Sequence, residues 1–295
     1  MAGQEMLHLA AGKLALTLEP RLGGSVRRFD LIHNGLKIPI FRDAPQSRSL
    51  VTDAASFPLV PYCNRVRGGR FRFRGREVTI AANSAADSNP LHGHGWLAAW
   101  EILSAGETEA ELRFRHEAAE WPWSYEARQI FRLEPDALTI LLACRNRSGE
   151  AMPCGLGQHP FFHCTPETRL DARATHSWTM DEQMLPVAKV PASGRFDLSN
   201  RLVCGSGLDN GFGGWSGSAR IESPELPFAI EMSSADAGFL QVYAPRSGSF
   251  FAAEPASHAN AALNEPEELW PELGLRVLEP GEEMSLAVRF RLLDR

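Results

Sequence analysis

The chain has 295 residues, of which 44% are hydrophobic and 22% are charged, and its formal net charge at pH 7 is −6. This composition is ordinary for a soluble globular protein, and the acidic balance argues against a nucleic-acid-binding protein, which needs a basic surface. A membrane protein is not expected, because no apolar run approaches the roughly 20 residues of a spanning helix. Residues 1–20 lack the basic and apolar blocks of a signal peptide, so we predict a cytoplasmic protein.

Cysteine usage favours the same location. The count of five is odd and no CxxC spacing occurs, which is typical of reduced cytoplasmic thiols and disfavours a structural zinc site. We therefore expect reduced thiols throughout the chain. The cysteines are Cys63, Cys144, Cys154, Cys164 and Cys204.

The first half of the chain shows the two-residue period of half-buried β-strands. Leu14, Leu16 and Leu18 alternate with alanine and threonine, which predicts an early strand. Asn34-Gly35 separates two further apolar runs, and this dipeptide favours the tight primed turn of a β-hairpin. Residues 41–57 are polar and irregular. Other hairpins are predicted to join residues 71–73 to 78–80, 100–103 to 110–115, and 125–133 to 138–144.

The second half repeats the pattern after a weaker stretch. Residues 165–217 are rich in Gly, Ser and Asp, and we predict long loops that hold short strands. Residues 265–273 are a candidate for a short helix, and residues 275–278 and 284–292 are predicted to form the last hairpin. Other strands are predicted at residues 219–221, 228–232, 239–243 and 250–253.

Short strands at regular spacing, with turn residues between them, predict an all-β sandwich or barrel. No linker rich in Pro, Gly or Ser, no charge run and no internal repeat divides the chain. We therefore predict one domain over residues 1–295.

Polar residues suited to chemistry lie in predicted turns, where a rigid sandwich can hold binding groups. His159 lies within residues 155–162, where two glycines and a proline break a β-like run. Glu254 ends an apolar run, and burial there raises the proton affinity of a carboxylate. One hypothesis pairs His159 as an acid with Glu254 as a base across a small molecule. The alternative is a structural histidine and a solvated glutamate.

Two other interpretations of the polar residues stay open. His92 and His94, together with His159 or His163, match a three-histidine metal site, although the His-x-His spacing is weakly specific. Four arginines alternate with apolar residues, either as an anion clamp for a phosphosugar or, more simply, as the wet side of a hairpin. These arginines are Arg70, Arg72, Arg74 and Arg76.

The polar clusters also occur in a characteristic order. On an all-β pattern, five short motifs along residues 14–292 resemble those of the aldose 1-epimerase (galactose mutarotase) family. Each motif is weakly specific alone, whereas the ordered set is strongly specific. The motifs are Asn64-Arg65 before Gly69-Arg70-Phe71, Leu91-His92-Gly93, Gly157-Gln158-His159-Pro160-Phe161-Phe162, Asp209 before Phe212, and Glu254-Pro255 before Asn264.

This resemblance implies a large twisted antiparallel β-sandwich, the galactose mutarotase-like supersandwich, with its site in a cleft on the concave side. It implies a cofactor-independent isomerase that interconverts the α and β anomers of an aldopyranose without a metal ion or an organic cofactor. The partner is then a small sugar, not a nucleic acid or a membrane, and the enzyme is a monomer or a homodimer. The alternatives are a hexose-6-phosphate 1-epimerase and a non-catalytic carbohydrate-binding protein on the same fold.

The resemblance also implies roles for individual residues. Glu254 would be the base that removes the proton of the anomeric hydroxyl, and His159 would be the acid that protonates the ring oxygen. His92 would hydrogen-bond beside that oxygen and help to polarise it. The substrate-binding residues would be Arg65, Asn64, Asp209 and His94.

Three departures from the family pattern concern the substrate. His94 stands where the family has the second glycine of His-Gly-Gly, and Phe161 stands in place of a tyrosine. Residues 95–97 stand where branches acting on hexose 6-phosphates show an arginine, which disfavours a phosphosugar substrate.

Overall fold

The computed structural model describes residues 6–43 and 50–295, so residues 44–49 of the predicted irregular stretch lie outside the described part. The described residues form short strands and six 3₁₀ turns, without an α-helix. The 3₁₀ turns are Val51–Asp53, Arg67–Gly69, Gly95–Leu97, Gly194–Phe196, Ala262–Asn264 and Glu267–Leu269. The strands are β1 (Leu7–Ala11), β2 (Leu14–Glu19), β3 (Ser25–His33), β4 (Leu36–Pro39), β5 (Pro58–Leu59), β6 (Arg70–Phe73), β7 (Arg76–Thr79), β8 (Glu101–Ala105), β9 (Glu109–His116), β10 (Tyr125–Leu133), β11 (Ala137–Asn146), β12 (Met152–Cys154), β13 (Gly157–Gln158), β14 (Phe161–His163), β15 (Arg169–Ala172), β16 (His176–Met180), β17 (Pro186–Pro191), β18 (Arg201–Leu202), β19 (Leu208–Gly213), β20 (Ser218–Glu222), β21 (Phe228–Ser233), β22 (Phe239–Ala244), β23 (Phe250–Ala256), β24 (Arg276–Leu278) and β25 (Glu283–Asp294).

These strands assemble into five sheets in the described part of the chain. The largest has nine strands in the order β18-β15-β20-β21-β25-β11-β10-β9-β8, and the next has eight, in the order β17-β16-β19-β22-β23-β13-β5 with β14 beside β23. A four-stranded sheet, β1 to β4, and the pairs β6-β7 and β12-β24 make up the others. Neighbouring strands are antiparallel throughout. The prediction of an all-β antiparallel sandwich is confirmed.

Several local predictions are confirmed with their physical cause. Asn34 and Gly35 both adopt positive φ, 51° and 76°, as the primed turn between β3 and β4 requires. In β25, Met284, Leu286 and Val288 are buried at every second position, as their alternation predicts.

Alternation along β23 separates the main core from a second, site-bearing face. Phe251 and Ala253 belong to the main hydrophobic core, whereas Ala252 and Ala256 belong to a second apolar cluster. Glu254 has the same parity as those two alanines, and side chains two residues apart on a strand share a face. The strand therefore presents a carboxyl group on the side away from the main core.

The predicted final hairpin and the predicted helix are wrong. β24 pairs with β12 through Met152 opposite Leu278, while β25 inserts between β11 and β21. The local apolar pattern of β24 and β25 suits either pairing, because strand partners are set by long-range packing. Residues 265–273 form one 3₁₀ turn instead of a helix, with prolines at 266 and 271 that cannot donate a backbone hydrogen bond.

Residues 165–217 contain β15 to β19, which have two to six residues each, so the predicted short strands are confirmed. The prediction of five reduced thiols is wrong, because Cys164 and Cys204 form a disulfide across a sequence separation of 40 residues. Cys63, Cys144 and Cys154 are free and buried. Among the described residues, no helical segment has the length and apolar character needed to cross a lipid bilayer.

Candidate active site

The centre of the candidate site is a direct contact between His159 and Glu254. His159 lies between β13 and β14, both of which pair with β23, the strand that carries Glu254. These pairings bring the imidazole Nε2 to 3.2 Å from Glu254 Oε1, with both side chains almost fully buried. The two residues are 95 positions apart in the sequence, yet they lie within hydrogen-bonding reach. They are in direct contact, whereas the sequence hypothesis placed them on either side of a small molecule.

Two phenylalanines hold the His159 ring in place. The rings of Phe57 and Phe161 both lie 4.5 Å from it, measured between centroids. The His159 backbone N–H also donates to the Phe57 carbonyl at 3.0 Å. Nδ1 of His159 has no hydrogen-bond partner in the described part of the chain, so ring packing and the contact with Glu254 orient this imidazole.

Burial disfavours charge on both members of this pair. Desolvation raises the pKa of Glu254 well above its ordinary value, reinforced by the charge of Asp209 and opposed by that of Arg65. Desolvation lowers the pKa of His159 well below its ordinary value, helped by His92 and Arg42. The contact has the geometry of an ion pair, but these shifts favour its neutral form, in which a Glu254 carboxyl shares its proton with a neutral His159.

His92 is held in one tautomer beside this pair. Its ring centroid lies 5.5 Å from that of His159, and its Nδ1 accepts a hydrogen bond of 3.0 Å from the Asn64 backbone N–H. A neutral imidazole that accepts at Nδ1 carries its proton on Nε2, so His92 is a hydrogen-bond donor there. Burial lowers the pKa of His92 to about 3, which keeps the ring neutral near pH 7.

A strained loop positions this imidazole. His92 adopts a φ of 56°, an uncommon conformation for a residue with a side chain. Gly93 follows with a φ of 68°, and a Cβ at that position would lie 2.2 Å from the Val60 carbonyl oxygen. The glycine of the Leu-His-Gly motif is therefore required by the close approach of the backbone.

Arg65 is fixed by polar contacts on several sides. Its Nε donates to Asp87 Oδ2 at 2.7 Å, and its Nη1 donates to Asn64 Oδ1 at 3.1 Å. Its backbone N–H donates to Asn260 Oδ1 at 3.1 Å. The guanidinium is largely buried, with 13% of the side chain exposed. Such a pre-oriented cation is suited to hydrogen-bond hydroxyl oxygens.

Asp209 approaches the pair from β19. Its Oδ1 accepts a hydrogen bond of 2.7 Å from Gln241 Nε2, and Gln241 lies opposite Glu254 in the register of β22 and β23. Burial raises the pKa of Asp209, while the charge of Arg65 and the Gln241 hydrogen bond lower it. Asp209 and Arg65 both act electrostatically on Glu254, so the structure brings these predicted residues into one cluster.

His94 lies in a different environment from the other predicted site residues. Its ring packs at 4.4 Å against His116, which in turn packs at 5.0 Å on Tyr125. Burial lowers the pKa of His94 to about 4, helped by the charge of His116. This packing gives His94 no visible part in the cluster around Glu254. The reason is that His92 and Gly93 both adopt positive φ, so residues 92–94 lack the extended geometry assumed for His-x-His.

The two alternative sites are not assembled in the structure. No group of three metal-ligating side chains comes together within the described ranges, because His163 is exposed and His94 packs elsewhere. On the β6-β7 hairpin, Arg74 and Arg76 are more than half exposed and pair with Glu279 and Glu150. The four arginines therefore lie on the solvent-exposed side of the hairpin.

Sequence reasoning missed three residues that support the cluster. Asp87 and Asn260 orient Arg65, and Gln241 orients Asp209. Gln241 carried a readable signal, since it is a polar residue inside the apolar run of β22. Asp87 and Asn260 carried none, because they lie in loops 22 and 195 positions away from Arg65.

Comparisons with known proteins identify the family to which the chain is similar. The family model for aldose 1-epimerase matches residues 19–291. The uncharacterized protein YphB of Escherichia coli K12 is 36% identical over 270 residues, which cover 85% of this chain and 89% of YphB. The crystal structure of a candidate aldose 1-epimerase from the same organism has a TM-score of 0.88 at 31% identity and covers 99% of both chains.

A more distant structure agrees in fold. A galactose mutarotase-like protein from Clostridium acetobutylicum has a TM-score of 0.85 at 18% identity and covers 98% of this chain and 95% of its own. The family match spans most of the sequence, and the polar cluster contains one residue from each of the five motifs, namely Arg65, His92, His159, Asp209 and Glu254. The chain belongs to the aldose 1-epimerase family.

Proposed function

We propose that this protein is a mutarotase, which interconverts the α and β anomers of an aldopyranose by acid–base ring opening and closure. The observation that carries the proposal is the buried contact of 3.2 Å between His159 Nε2 and Glu254 Oε1. An acid and a base in contact suit this reaction, because the anomeric hydroxyl and the ring oxygen are bonded to the same carbon. One small site can therefore serve both oxygens.

The proton inventory of the reaction is balanced. Glu254, as carboxylate, takes the proton of the anomeric hydroxyl while the C1–O5 bond breaks, and protonated His159 gives a proton to the ring oxygen. The open-chain aldehyde rotates about the C1–C2 bond and closes with the same steps reversed. Positioned groups of this kind typically contribute about 10²–10⁴ in rate.

The neutral resting form of the pair supplies the reacting form. A neutral His159 with a protonated Glu254 holds the same number of protons as an imidazolium with a carboxylate. The two forms differ by one proton transfer across the 3.2 Å contact. A sugar hydroxyl that enters the site solvates the charged form and favours it. Neither residue needs to form a covalent intermediate.

The surrounding residues have supporting roles in this proposal. His92 donates its Nε2–H toward the ring oxygen, where negative charge develops as the C1–O5 bond breaks. Arg65 and Asp209 hold sugar hydroxyls, and Asn64 lines the site and supports Arg65. We do not assign His94 a role in binding.

Polarimetry of freshly dissolved α-anomers, over a panel of hexoses, pentoses and deoxysugars, tests the proposal. We expect the protein to accelerate the decay of optical rotation, and Glu254→Gln to lower kcat by about 10²–10⁴. Glu150→Gln is the matched control and should keep wild-type rates, because Glu150 is an exposed glutamate between β11 and β12 that pairs with Arg76.

The alternative is a carbohydrate-binding protein without catalysis. Sugar binding without acceleration would establish that alternative. A Glu254→Gln variant with full activity would instead remove Glu254 from the proposed mechanism. A cytoplasmic location, a monomeric or dimeric state and a single domain stay predictions.

A further inference from the structure

Arg42 is a cation next to the proposed catalytic pair that the mechanism does not use. Its guanidinium carbon lies 3.5 Å above the centroid of the Phe161 ring and 4.8 Å from that of Phe250. Phe161 is the ring that packs on His159 at 4.5 Å. The order of contacts is therefore His159, Phe161, Arg42, which places the guanidinium one aromatic ring away from the reacting groups.

The strand register puts this region on the same face as the catalytic carboxyl. Phe161 pairs with Ala252, Ala252 pairs with Tyr243, and Tyr243 pairs with Asp209, so these residues form one row across four strands. Glu254 lies two residues beyond Ala252 on β23 and therefore shares its face. The sheet face that carries Glu254 therefore also carries Tyr243 and Phe161, and Arg42 stacks on the Phe161 ring.

Among the described residues, no carboxylate pairs directly with the Arg42 guanidinium. Its Nε donates to the Ala54 carbonyl at 3.3 Å, and its Nη2 donates to the carbonyls of Ala54 and Thr52. In the ranges that the structure describes, Nη1 makes no hydrogen bond and no carboxylate lies within 4.0 Å of the guanidinium. Carbonyl groups orient a guanidinium but do not neutralise it, so its charge and two N–H bonds remain for a ligand.

The electrostatics agree with this placement. Burial lowers the pKa of Arg42 to about 10, and the opposing effects of Asp53 and Tyr243, which raise it, are too small to offset the loss of solvation. Burial raises the pKa of the partly buried Tyr243 hydroxyl, reinforced by the charge of Asp209 and opposed by that of Arg42. The hydroxyl is therefore within electrostatic reach of both the predicted sugar ligand Asp209 and the Arg42 guanidinium.

We propose that Arg42 and the Tyr243 hydroxyl form a subsite for a negatively charged exocyclic group on the aldose substrate, such as a carboxylate or a phosphate. This inference rests on the proposed function and specifies its substrate class. Nη1 offers two N–H donors and the guanidinium offers its positive charge, so Arg42 can attract an oxyanion and hydrogen-bond it, while the carbonyl contacts of Nε and Nη2 keep the group oriented. The sequence offered the arginines at 70, 72, 74 and 76 as the group that binds an anionic sugar. We assign that role to Arg42 instead.

Matched sugars test the subsite. Mutarotation of D-glucose, D-glucuronate and D-glucose 6-phosphate is measured for the wild type, Arg42→Met, Arg42→Lys and Tyr243→Phe. We expect the wild type to prefer at least one anionic sugar in kcat/KM, and Arg42→Met to lower the ratio of anionic to neutral kcat/KM by about 10- to 100-fold. Arg42→Lys should keep part of that ratio, because it keeps the charge but loses the planar guanidinium that the backbone carbonyls and the Phe161 ring orient.

Arg72→Met is the matched control, since Arg72 is an exposed arginine of the β6-β7 hairpin and should leave the ratio unchanged. A higher rate with glucuronate than with glucose 6-phosphate identifies a carboxylate subsite, and the reverse order identifies a phosphate subsite. A wild type that prefers D-glucose, or an Arg42→Met variant whose ratio equals that of the wild type, overturns the inference and leaves the mutarotase proposal intact.

Failure of the mutarotase proposal is recognised separately. If no sugar reacts faster with the protein present, calorimetric titration of the same three sugars still tests the subsite. Weaker binding of D-glucuronate or D-glucose 6-phosphate to Arg42→Met than to the wild type supports the subsite. Equal binding to the two proteins overturns it.

Discussion

The contact between His159 and Glu254 determines how the proposed reaction responds to pH. The pair is active when it holds one shared proton, because two protons leave no base and none leaves no acid. Burial lowers the pKa of His159, so a second proton binds only at a pH well below the ordinary histidine range. Burial raises the pKa of Glu254, so the shared proton leaves only well above the ordinary carboxyl range.

We therefore expect kcat/KM to be level across the neutral range and to fall on both sides of it. The measurement is a pH series of mutarotation rates, corrected for the spontaneous reaction in each buffer. A steep change in rate centred on about pH 6.5, the ordinary pKa of histidine, would contradict a buried, neutral pair.

The residue types at the centre of the site were predictable, and their contacts were not. Glu254, His159 and Arg65 were recognisable because each belongs to a motif of unusual composition in a turn or at a strand end. The tautomer of His92 depends on the Asn64 backbone N–H, 28 positions away. The cation at Arg42 gave no sequence signal, because its significance comes from Phe161 on a distant strand.

Single strands divide structural and functional duties between their two faces. Phe251 of β23 is fully buried, and its ring packs at 5.4 Å against Phe162 in the main core. Phe250, the preceding residue, is half-buried and packs toward Phe161 on the other face. Neighbouring residues of identical type therefore stabilise different parts of the molecule.

This division predicts unequal costs for the same substitution. We expect Phe251→Ala to lower the free energy of unfolding by about 3–5 kcal/mol, because it opens a cavity in a close-packed core. Phe250→Ala, the matched control on the same strand, should cost clearly less, since its ring is partly solvated. Denaturant unfolding followed by circular dichroism measures both values. Equal losses for the two variants would show that both rings stabilise the main core to the same degree.

Element types followed from local periodicity, but strand partners did not. The alternation of β25 predicted a strand, yet its neighbours are β11 and β21 and not the adjacent β24. The same limit applies to residues 165–217, where short strands were foreseen without their positions in the two large sheets. Pairing is chosen by burial of whole faces against one another, which a local pattern does not contain.

The disulfide between Cys164 and Cys204 acts at the scale of the whole molecule. It connects the segment after β14, in the sheet that carries the site, to the segment after β18, at the edge of the nine-stranded sheet. A bond that closes a loop across 40 residues restricts the unfolded chain and stabilises the fold by about 2–4 kcal/mol. The prediction of a cytoplasmic location drew on reduced thiols. A disulfide is more typical of an oxidising compartment, so this bond weakens that argument for the location.

Thiol titration in denaturant tests the bond. We expect three reactive thiols without reductant and five after reduction, and we expect Cys204→Ala to lower the free energy of unfolding by about 2–4 kcal/mol. Five thiols in the unreduced protein would restore the original prediction of reduced cysteines.

The amino-acid order alone was enough for the all-β class, the resemblance to the aldose 1-epimerases and the candidates for the acidic and basic groups, because these depend on residue type and local spacing. Folding in three dimensions settled the rest. It joined His159 to Glu254, turned His94 toward His116 and brought Arg42 onto Phe161. Each of these contacts depends on strand register or loop geometry between distant parts of the chain, and register is decided by the packing of complete sheets.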